Sequence, residues 1–389
     1  MRTHRALSDL TATLVHAVVM STFTRRPFLR WLIPAVAALV LAAGGSTVGL
    51  LTASARGGLP ERSPAQLLVD VQKARLDGLS GTIVQNAHLG LPSLPGVGGA
   101  GSSDMTSLVS GSHTLRLWYA GPNKVRLALL GSLGESDLVR NGTDFWTWSS
   151  RDKSATHHKV PLTKEATPGL LADSTPITPQ KAADAALSAI SPTTKVSTDG
   201  TAVVAGRNAY ELVLEPKDTG SLVESVRIAI DGKTHVPTRV QIFGRNSQDP
   251  SFEVGFTSFD PSTPSSTAFN FNPPPGTKVT EGSTPKSHEG ALPGARSGLR
   301  TPADQASAAA KPRIVGTGWT SVVVARLPEG AISGSGQASR VLRVLPKVSG
   351  TWGSGHLLKG TLFSALLTDD GRVVVGAVAP EALYAALGS

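Results

Sequence analysis

The residues that could do chemistry in this chain are few and scattered. There is no cysteine, which excludes disulfides, thiolate metal sites and a cysteine nucleophile. The adjacent His157 and His158 would point to opposite faces of a strand and could not chelate one ion together. Asp369 and Asp370 precede a glycine, which is the pattern of an ordinary turn. These residues predict no metal site and no cofactor.

Short catalytic motifs are also missing from the sequence. It has no Gly-rich phosphate loop, no G-x-S-x-G elbow and no H-E-x-x-H. Serines are plentiful, but none has a readable His/Asp arrangement beside it. We predict that the protein is not an enzyme, and we keep a hydrolase with a spatially assembled site as the least favoured alternative.

The charge of the chain is concentrated at its beginning. Of the formal net charge of +9, residues 1–55 carry +4, from five arginines and Asp9. The remaining residues show no Lys/Arg cluster with interleaved aromatics, so the sequence does not favour nucleic-acid binding.

An apolar segment follows this basic N-terminus (residues 1–30) and predicts the compartment. Residues 31–55 carry no charge, and residues 31–51 as a helix would span about 31 Å, the thickness of a bilayer core. The arginines before it place the N-terminus in the cytoplasm, so the chain after residue 56 is expected to be extracytoplasmic, either secreted or anchored to the cytoplasmic membrane. The small residues at 53–55 fit a cleavable signal peptide, whereas the length of the apolar run fits a retained signal anchor. Met20 is an alternative start of the chain.

Two helices are predicted beyond that segment. Ser63 and Pro64 can begin a helix whose apolar residues recur at helical spacing until Gly78. A second helix, "TPQKAADAALSAI", has Thr178 as its cap and Pro179 as its first residue.

Between and after these helices the apolar residues alternate, which predicts strands. Hairpin turns are expected at Gly121-Pro122-Asn123, at Asn141-Gly142 and at Asp231-Gly232. The stretch "FNFNPPPG" (269–276) alternates in the same way and is predicted to be the closing strand, ended by its prolines.

This order predicts an α+β fold, a long antiparallel sheet of about eleven strands with a helical lid. Such a sheet curls into an unclosed half-barrel, whose inner surface exceeds what two short helices can cover. The remaining apolar surface favours an apolar guest. From the alternation, the residues expected to line this cavity are Leu115, Leu117, Tyr119, Val125, Leu127, Leu129, Trp146, Trp148, Tyr210, Leu212, Leu214, Val226, Ile228, Val240, Ile242, Phe252, Val254 and Phe256.

The other segments set the domain boundaries. Residues 60–280 form the predicted half-barrel domain, within which the Gly/Ser-rich stretch 88–112 is expected to be a surface loop. Residues 281–312 contain no aromatic residue and are predicted to be a flexible linker. Residues 313–389 form a β-rich C-terminal extension, either a small second domain or strands that return to the first sheet.

Three stretches in sequence resemble the closing part of the LolA-type lipoprotein-carrier superfamily. They are "GRNAYELVLEPK" (206–217), "DGKTHVPTRVQIF" (231–243) and "FNFNPPPGTKV" (269–279). The superfamily includes the carrier, the mycobacterial lipid-binding lipoproteins of the LppX type and the N-terminal domain of the sigma-factor regulator RseB. The high Ala, Gly and Val content indicates an actinobacterial-type member.

The resemblance implies a half-barrel with a helical lid over a cavity for acyl chains, and no catalytic residues. The expected function is that of an extracytoplasmic carrier or sensor, whose partner is a lipid or a lipoprotein acyl chain. The linker and tail are more like RseB than like the single-domain carrier. The alternative is therefore an RseB-like regulator that binds a membrane-bound anti-sigma factor.

Overall fold

The computed structural model describes residues 59–92, 102–103, 105–132, 134–162, 192–245, 247–282, 312–327 and 342–388. The predicted apolar segment 31–55 and the predicted second helix from Thr178 lie outside these ranges. Among the described residues no helix is both long enough and apolar enough to cross a membrane.

The first helix, α1, is Pro64–Lys73, as the sequence predicts. Its N-terminus is a capping box, in which the Ser63 side chain accepts from the Gln66 backbone and the Gln66 side chain accepts from the Ser63 backbone. Its buried residues are Ala65, Leu67 and Val69, which fix the helix to the first sheet.

The first sheet has twelve strands. They are β1 Leu79–Ala87, β2 Gly111–Tyr119, β3 Lys124–Gly131, β4 Gly134–Asn141, β5 Asp144–Ser149, β6 Ser154–Lys159, β7 Thr194–Val204, β8 Arg207–Pro216, β9 Val223–Asp231, β10 Pro237–Gly244, β11 Phe252–Asp260 and β12 Lys278–Glu281.

The strand order is β12-β6-β5-β4-β3-β2-β1-β11-β10-β9-β8-β7, which leaves both ends of the sheet unpaired. The predicted hairpins form, with Gly121 and Gly142 at positive φ where a side chain would be strained. Residues of β7 lie within 8 Å of β11 although three strands separate them in the order, so the sheet is strongly coiled. This is an open sheet of the half-barrel kind, antiparallel except for the β12–β6 pair.

The α1 face of this sheet is the face on which α1 packs. The largest buried cluster joins Leu67 to apolar residues of β8–β11 and β1, including Tyr210, Ile230 and Phe252. The Tyr210 hydroxyl donates to the carbonyl oxygen of Pro60 (2.9 Å), which also ties down the segment before the helix. Helix α1 therefore covers about half of this face, over β8–β11 and β1.

The opposite face is covered by the chain that follows β11. The stretch "FNFN" is not a strand, and this prediction is wrong. Ser266–Phe269 form one turn of 3₁₀ helix over β3 and β4, and β12 begins only at Lys278, after the prolines. Phe269 is 1% exposed, and the Phe271 ring lies 5.3 Å from that of Trp146. The alternating aromatics cross a sheet face instead of joining the ladder.

The chain between β1 and β2 also differs from its prediction as a surface loop. Residues Met105–Val109 form a 3₁₀ turn in which Ser107 and Leu108 are buried. Leu108 packs on Leu115 and Leu129 of the α1 face. Leu108 of this Gly/Ser-rich stretch is thus part of the core, and Met105 packs against it.

The C-terminal residues form a second sheet of six strands. They are β13 Arg313–Val315, β14 Val322–Arg326, β15 Lys347–Gly350, β16 Gly353–Lys359, β17 Ser364–Thr368 and β18 Arg372–Gly376, in the order β13-β14-β18-β17-β16-β15. The helix α2, Pro380–Gly388, packs on it through Leu383. The predicted turn Asp369-Asp370-Gly371 joins β17 to β18.

The two sheets are in direct contact. Leu362 and Phe363, in the turn between β16 and β17, pack into the cluster beneath α1. The backbone N–H of Leu222 donates to the carbonyl of Ala377 (2.8 Å), and the Trp319 indole donates to the Thr194 hydroxyl (2.9 Å). The second sheet therefore closes one end of the first.

Candidate functional site

The α1 face holds most of the residues that the sequence singles out for cavity lining. Nine of them pack in the cluster beneath α1, where they form core: Tyr210, Leu212, Leu214, Val226, Ile228, Val240, Ile242, Phe252 and Val254. Seven of the nine are buried, so the alternation identified one face, but α1 already covers this half of it.

The predicted residues on β2 and β3 are covered less completely. Leu115 and Leu129 are buried beneath Leu108, and Leu127 is half-buried at the border of that cluster. Leu117, Tyr119 and Val125 continue along the same face, because Leu117 pairs with Leu127 and Tyr119 with Val125. All three are half-buried.

Trp146 and Trp148 do not belong to this face. The register pairs Leu127 with Leu138 and Leu138 with Thr147, which places Thr147 on the α1 face and the two tryptophans on the opposite one. There Trp146 stacks on His157 and tilts against Phe271. In "DFWTW" the alternation shows that the tryptophans share a face, but only the register decides which one.

Phe256 is also displaced from the main cluster. The pairing of β1 with β11 shifts register between Thr82 and Ile83, next to Phe256. Its ring packs edge-on to Phe259 at 5.0 Å and against Val204, Ala209 and Ala229. A β-bulge redirects side chains in a way that a strict period of two does not foresee.

We define the open strip as the half-buried apolar residues of β2–β4 on the α1 face. They are Leu117, Tyr119, Val125, Leu127 and Leu138. Leu138 was missed from the sequence, because Leu138 and Val139 are both apolar and either could have faced inward. The strip is continuous with the sealed cluster of Leu115 and Leu129.

Two polar residues also occupy the α1 face and were missed. Gln85 and His113 pair across β1 and β2 and are 0% and 3% exposed. The sequence could have predicted their position, because Gln85 alternates with Ile83 and Ala87. His113 alternates with Leu115 and Leu117 in the same way. Burial lowers the pKa of His113, although the backbone carbonyls of Ser107, Ser102 and Ser110 oppose this effect. The imidazole is therefore neutral at pH 7.

One charged residue, Arg140, borders the open strip, because it pairs with Val125 and donates to Asn123 Oδ1 (2.8 Å) and to the Pro161 carbonyl (2.7 Å). On the opposite face Arg126 forms an ion pair with the buried Asp137 (2.5 Å). Burial raises the pKa of Asp137 to about 6, against the lowering effect of Arg126. At the β8–β9 end Arg207 binds both carboxylate oxygens of Asp231 (2.6 and 2.9 Å).

The residues that first suggested chemistry take structural roles. His157 lies between Asp144 (2.7 Å) and Glu281 (3.0 Å), and so links β12 to β6 instead of being an exposed strand residue. His158 pairs with Phe145 and points to the other face, as predicted. Within the described ranges no three His, Asp or Glu side chains form a group that could hold a metal ion.

Comparison with known proteins gives structural matches only. No protein-family model matches the chain, and no curated protein sequence is significantly similar to it. The structure of the Pseudomonas aeruginosa MucA/MucB complex contains a chain that is 14% identical, with a TM-score of 0.41, over 83% of this chain and 96% of that one.

Two shorter proteins match the chain over about half its length. An uncharacterised conserved protein from Thermus thermophilus is 10% identical over 56% of this chain and 97% of its own, with a TM-score of 0.32. A LolA superfamily protein from Nitrosomonas europaea is 10% identical over 54% of this chain and 99% of its own, with a TM-score of 0.20. The actinobacterial type stays a prediction. The chain is similar in structure to each of these three proteins.

Proposed function

We propose that the protein binds an acyl chain on the α1 face of the first sheet and acts as an extracytoplasmic carrier or sensor, without catalysis. The observation that carries this proposal is the open strip of Leu117, Tyr119, Val125, Leu127 and Leu138. Half-buried apolar side chains in a row on a curved sheet offer a continuous surface to a hydrocarbon.

The energetics favour such a guest. Each methylene group that leaves water for this strip contributes about 0.8 kcal/mol, so a chain of several methylenes can offset the cost of association. The five residues of the strip are uncharged, and Arg140 at its border already donates to Asn123 Oδ1 and the Pro161 carbonyl. The ion pairs Arg126–Asp137 and Arg207–Asp231 lie elsewhere on the sheet. A purely apolar ligand segment therefore fits it better than a charged one.

The direct test is the lipid content of the full chain. The protein is expressed with its own N-terminal segment, purified under native conditions and extracted with organic solvent, and acyl species are counted by mass spectrometry. About one acyl chain or lipid per protein is expected, and repeated preparations without any would overturn the proposal.

A matched pair of variants separates specific binding from co-purified membrane lipid. Leu117→Gln places a polar group on the open strip, and Leu130→Gln makes the same change on the opposite face of the neighbouring strand. The first is expected to lower the bound lipid several-fold and the second to leave it unchanged. Equal loss from both variants would contradict a site on the α1 face.

A second candidate function is that of a regulator which binds a membrane-bound anti-sigma factor. It is favoured by the edge strand β15 of the second sheet, whose side chains are mostly exposed. A sheet edge presents outward backbone groups to which a peptide strand can add. The Leu357 N–H donates to the Pro346 carbonyl, and in an antiparallel pair every second residue bonds to the partner strand. Val348 therefore bonds to β16, and the N–H of Ser349 points outward from the sheet edge.

This candidate is tested by pull-down of the full chain with the extracytoplasmic segment of an anti-sigma factor from the same genome. Ser349→Pro removes one outward N–H while leaving the β15–β16 ladder intact. Capture by the wild type and loss in this variant would favour the regulator. Absence of capture by the wild type would count against it.

A further inference from the structure

Gln85 and His113 are buried polar groups in the middle of an apolar face. Gln85 is 0% exposed, lies between Val254 and His113 in the sheet, and its neighbours Ile83 and Ala87 belong to the core. Neither the amide oxygen nor the amide nitrogen of Gln85 has a hydrogen-bond partner within the described part of the chain, and the same holds for Nε2 of His113. Buried polar groups without partners cost free energy, so native proteins supply them with one.

The hydrogen-bonding roles of this pair follow from His113. Its Nδ1 lies 3.1 Å from the carbonyl oxygen of Ser102, and since a carbonyl only accepts, Nδ1 carries the hydrogen. The neutral ring then presents a lone pair at Nε2. Gln85 adds one carbonyl acceptor and one NH₂ donor beside it.

This pattern selects an uncharged group. A carboxylate or phosphate brings only negative acceptors, which the lone pair of His113 Nε2 and the carbonyl of Gln85 repel. The residues that pair with Gln85 and His113 carry no positive charge to compensate. A hydroxyl or an amide can both donate and accept, and so satisfies the pair.

The pair is also placed to serve the open strip. On β2 the residues of the α1 face run from His113 through Leu115 and Leu117 to Tyr119. With about 3.4 Å per residue, Leu117 lies roughly 13 Å from His113 along the strand. A ligand with a polar group at Gln85 can therefore extend its hydrocarbon along β2 to the strip.

We propose that Gln85 and His113 form a polar subsite for an uncharged hydroxyl or amide group of an acyl ligand, of the kind found in acylglycerols and fatty amides. This inference rests on the proposed function and specifies its ligand class. Because both side chains are buried, binding requires that the packing around them opens.

The test uses four probes that share one lauroyl chain: monolaurin, lauramide, methyl laurate and lauric acid. Their binding to the full chain is measured by calorimetric titration at pH 7.5. Monolaurin and lauramide are expected to bind about tenfold more tightly than methyl laurate, and lauric acid no more tightly than the ester.

Two variants test whether the preference for monolaurin and lauramide depends on the amide of Gln85. Gln85→Met keeps the side-chain volume and removes the amide, so monolaurin and lauramide should lose their tenfold advantage. Gln241→Met makes the same change on the opposite face, where Gln241 bonds to Glu253 (3.2 Å), and should retain the advantage. Without ligand, Gln85→Met is expected to raise the melting temperature, because an unpartnered buried amide is removed.

The outcomes separate the two proposals. Equal binding of all four probes by the wild type overturns the polar subsite and leaves the carrier proposal intact. Binding of none overturns the carrier proposal and this inference with it. A lower melting temperature for Gln85→Met would show that the amide is already satisfied, for example by a buried water, and would also overturn the subsite.

Discussion

Asp231 stands at the turn from β9 to β10 and organises it with a single buried carboxylate. It accepts hydrogen bonds from the Arg207 guanidinium, from the backbone N–H groups of Lys233 and Thr234 and from the Thr234 hydroxyl. Burial would raise its pKa, but the Arg207 and Thr234 hydrogen bonds outweigh this and lower it to about 2. The folded protein therefore holds this proton less tightly than the unfolded chain.

This lowered pKa predicts acid sensitivity. The stabilisation, about 2 kcal/mol, is fully present above the ordinary pKa of 3.8 and is lost as the pH falls through 2. Asp231→Asn should lower the free energy of unfolding at pH 7 by at least that amount and flatten its slope between pH 4 and 2. Urea unfolding followed by circular dichroism across this range measures both effects, and an unchanged slope would contradict the prediction.

The pKa of Asp137, on the same sheet, is shifted in the opposite direction from that of Asp231. Its carboxylate is 1% exposed, and one of its oxygens has no hydrogen-bond partner in the described ranges. Burial raises its pKa to about 6 in spite of Arg126, so the folded state binds the proton more tightly than the unfolded chain does. The favourable contribution of the protonated form is present below pH 4 and is lost as the pH rises through 6.

We therefore expect Asp137→Asn to stabilise the protein at pH 7.5 by roughly 2 kcal/mol and to have little effect at pH 4, since the amide resembles the protonated acid. Thermal unfolding at the two pH values measures this. Loss of stability at pH 7.5 would mean that the ion pair with Arg126 outweighs the desolvation of the carboxylate. Asp231→Asn is the internal control, because this substitution is expected to destabilise the protein at neutral pH.

At the scale of elements, the segment between β11 and β12 covers the opposite face of the first sheet. Phe269 is 1% exposed over β3 and β4, whereas Phe271 is half-buried against Trp146 and Trp148. Phe269→Ala should lower the free energy of unfolding by about 3–5 kcal/mol, and Phe271→Ala by clearly less, because only the first leaves a closed cavity. Chemical denaturation compares them, and equal effects would contradict this packing.

Local turn chemistry made much of this fold predictable from the sequence. Ser63-Pro64 gave the start of α1, and Asn141-Gly142 gave the turn of the β4–β5 hairpin, because capping and positive φ depend on a few adjacent residues. Successive hairpins also place many neighbouring strands beside each other, although the pairing of β1 with β11 is not of this kind. The prediction of about eleven antiparallel strands is close to the twelve observed, but it wrongly included "FNFN" and missed the short parallel pair of β12 with β6.

Packing between residues distant in sequence determines the features that local sequence patterns could not predict. "FNFN" alternates like a strand, but Phe271 packs against Trp146 and Phe269 is buried over β3 and β4. Alternation likewise could not assign Trp146 and Trp148 to a face, nor show that α1 seals the residues of β8–β11. Most of the predicted lining residues therefore share one face, and nine of them are core beneath α1.

For the whole molecule, the second sheet packs directly against the first. Leu362 is 7% exposed within the cluster beneath α1, and the Thr361 N–H donates to the carbonyl of Leu89 (2.8 Å). Residues more than 270 positions apart thus share one core. Such a core couples the two sheets thermodynamically, so both should unfold in one transition.

Leu362→Ala tests this coupling against Leu366→Ala. Leu366 is 1% exposed in the core of the second sheet itself, away from the first. Both changes should cost about 2–5 kcal/mol, but only Leu362→Ala removes packing shared between the sheets. Calorimetry of this variant is expected to split the single transition into two, whereas Leu366→Ala lowers one common midpoint. Two transitions in the wild type would instead mean that the sheets unfold independently and that the turn at Leu362 merely touches the first core.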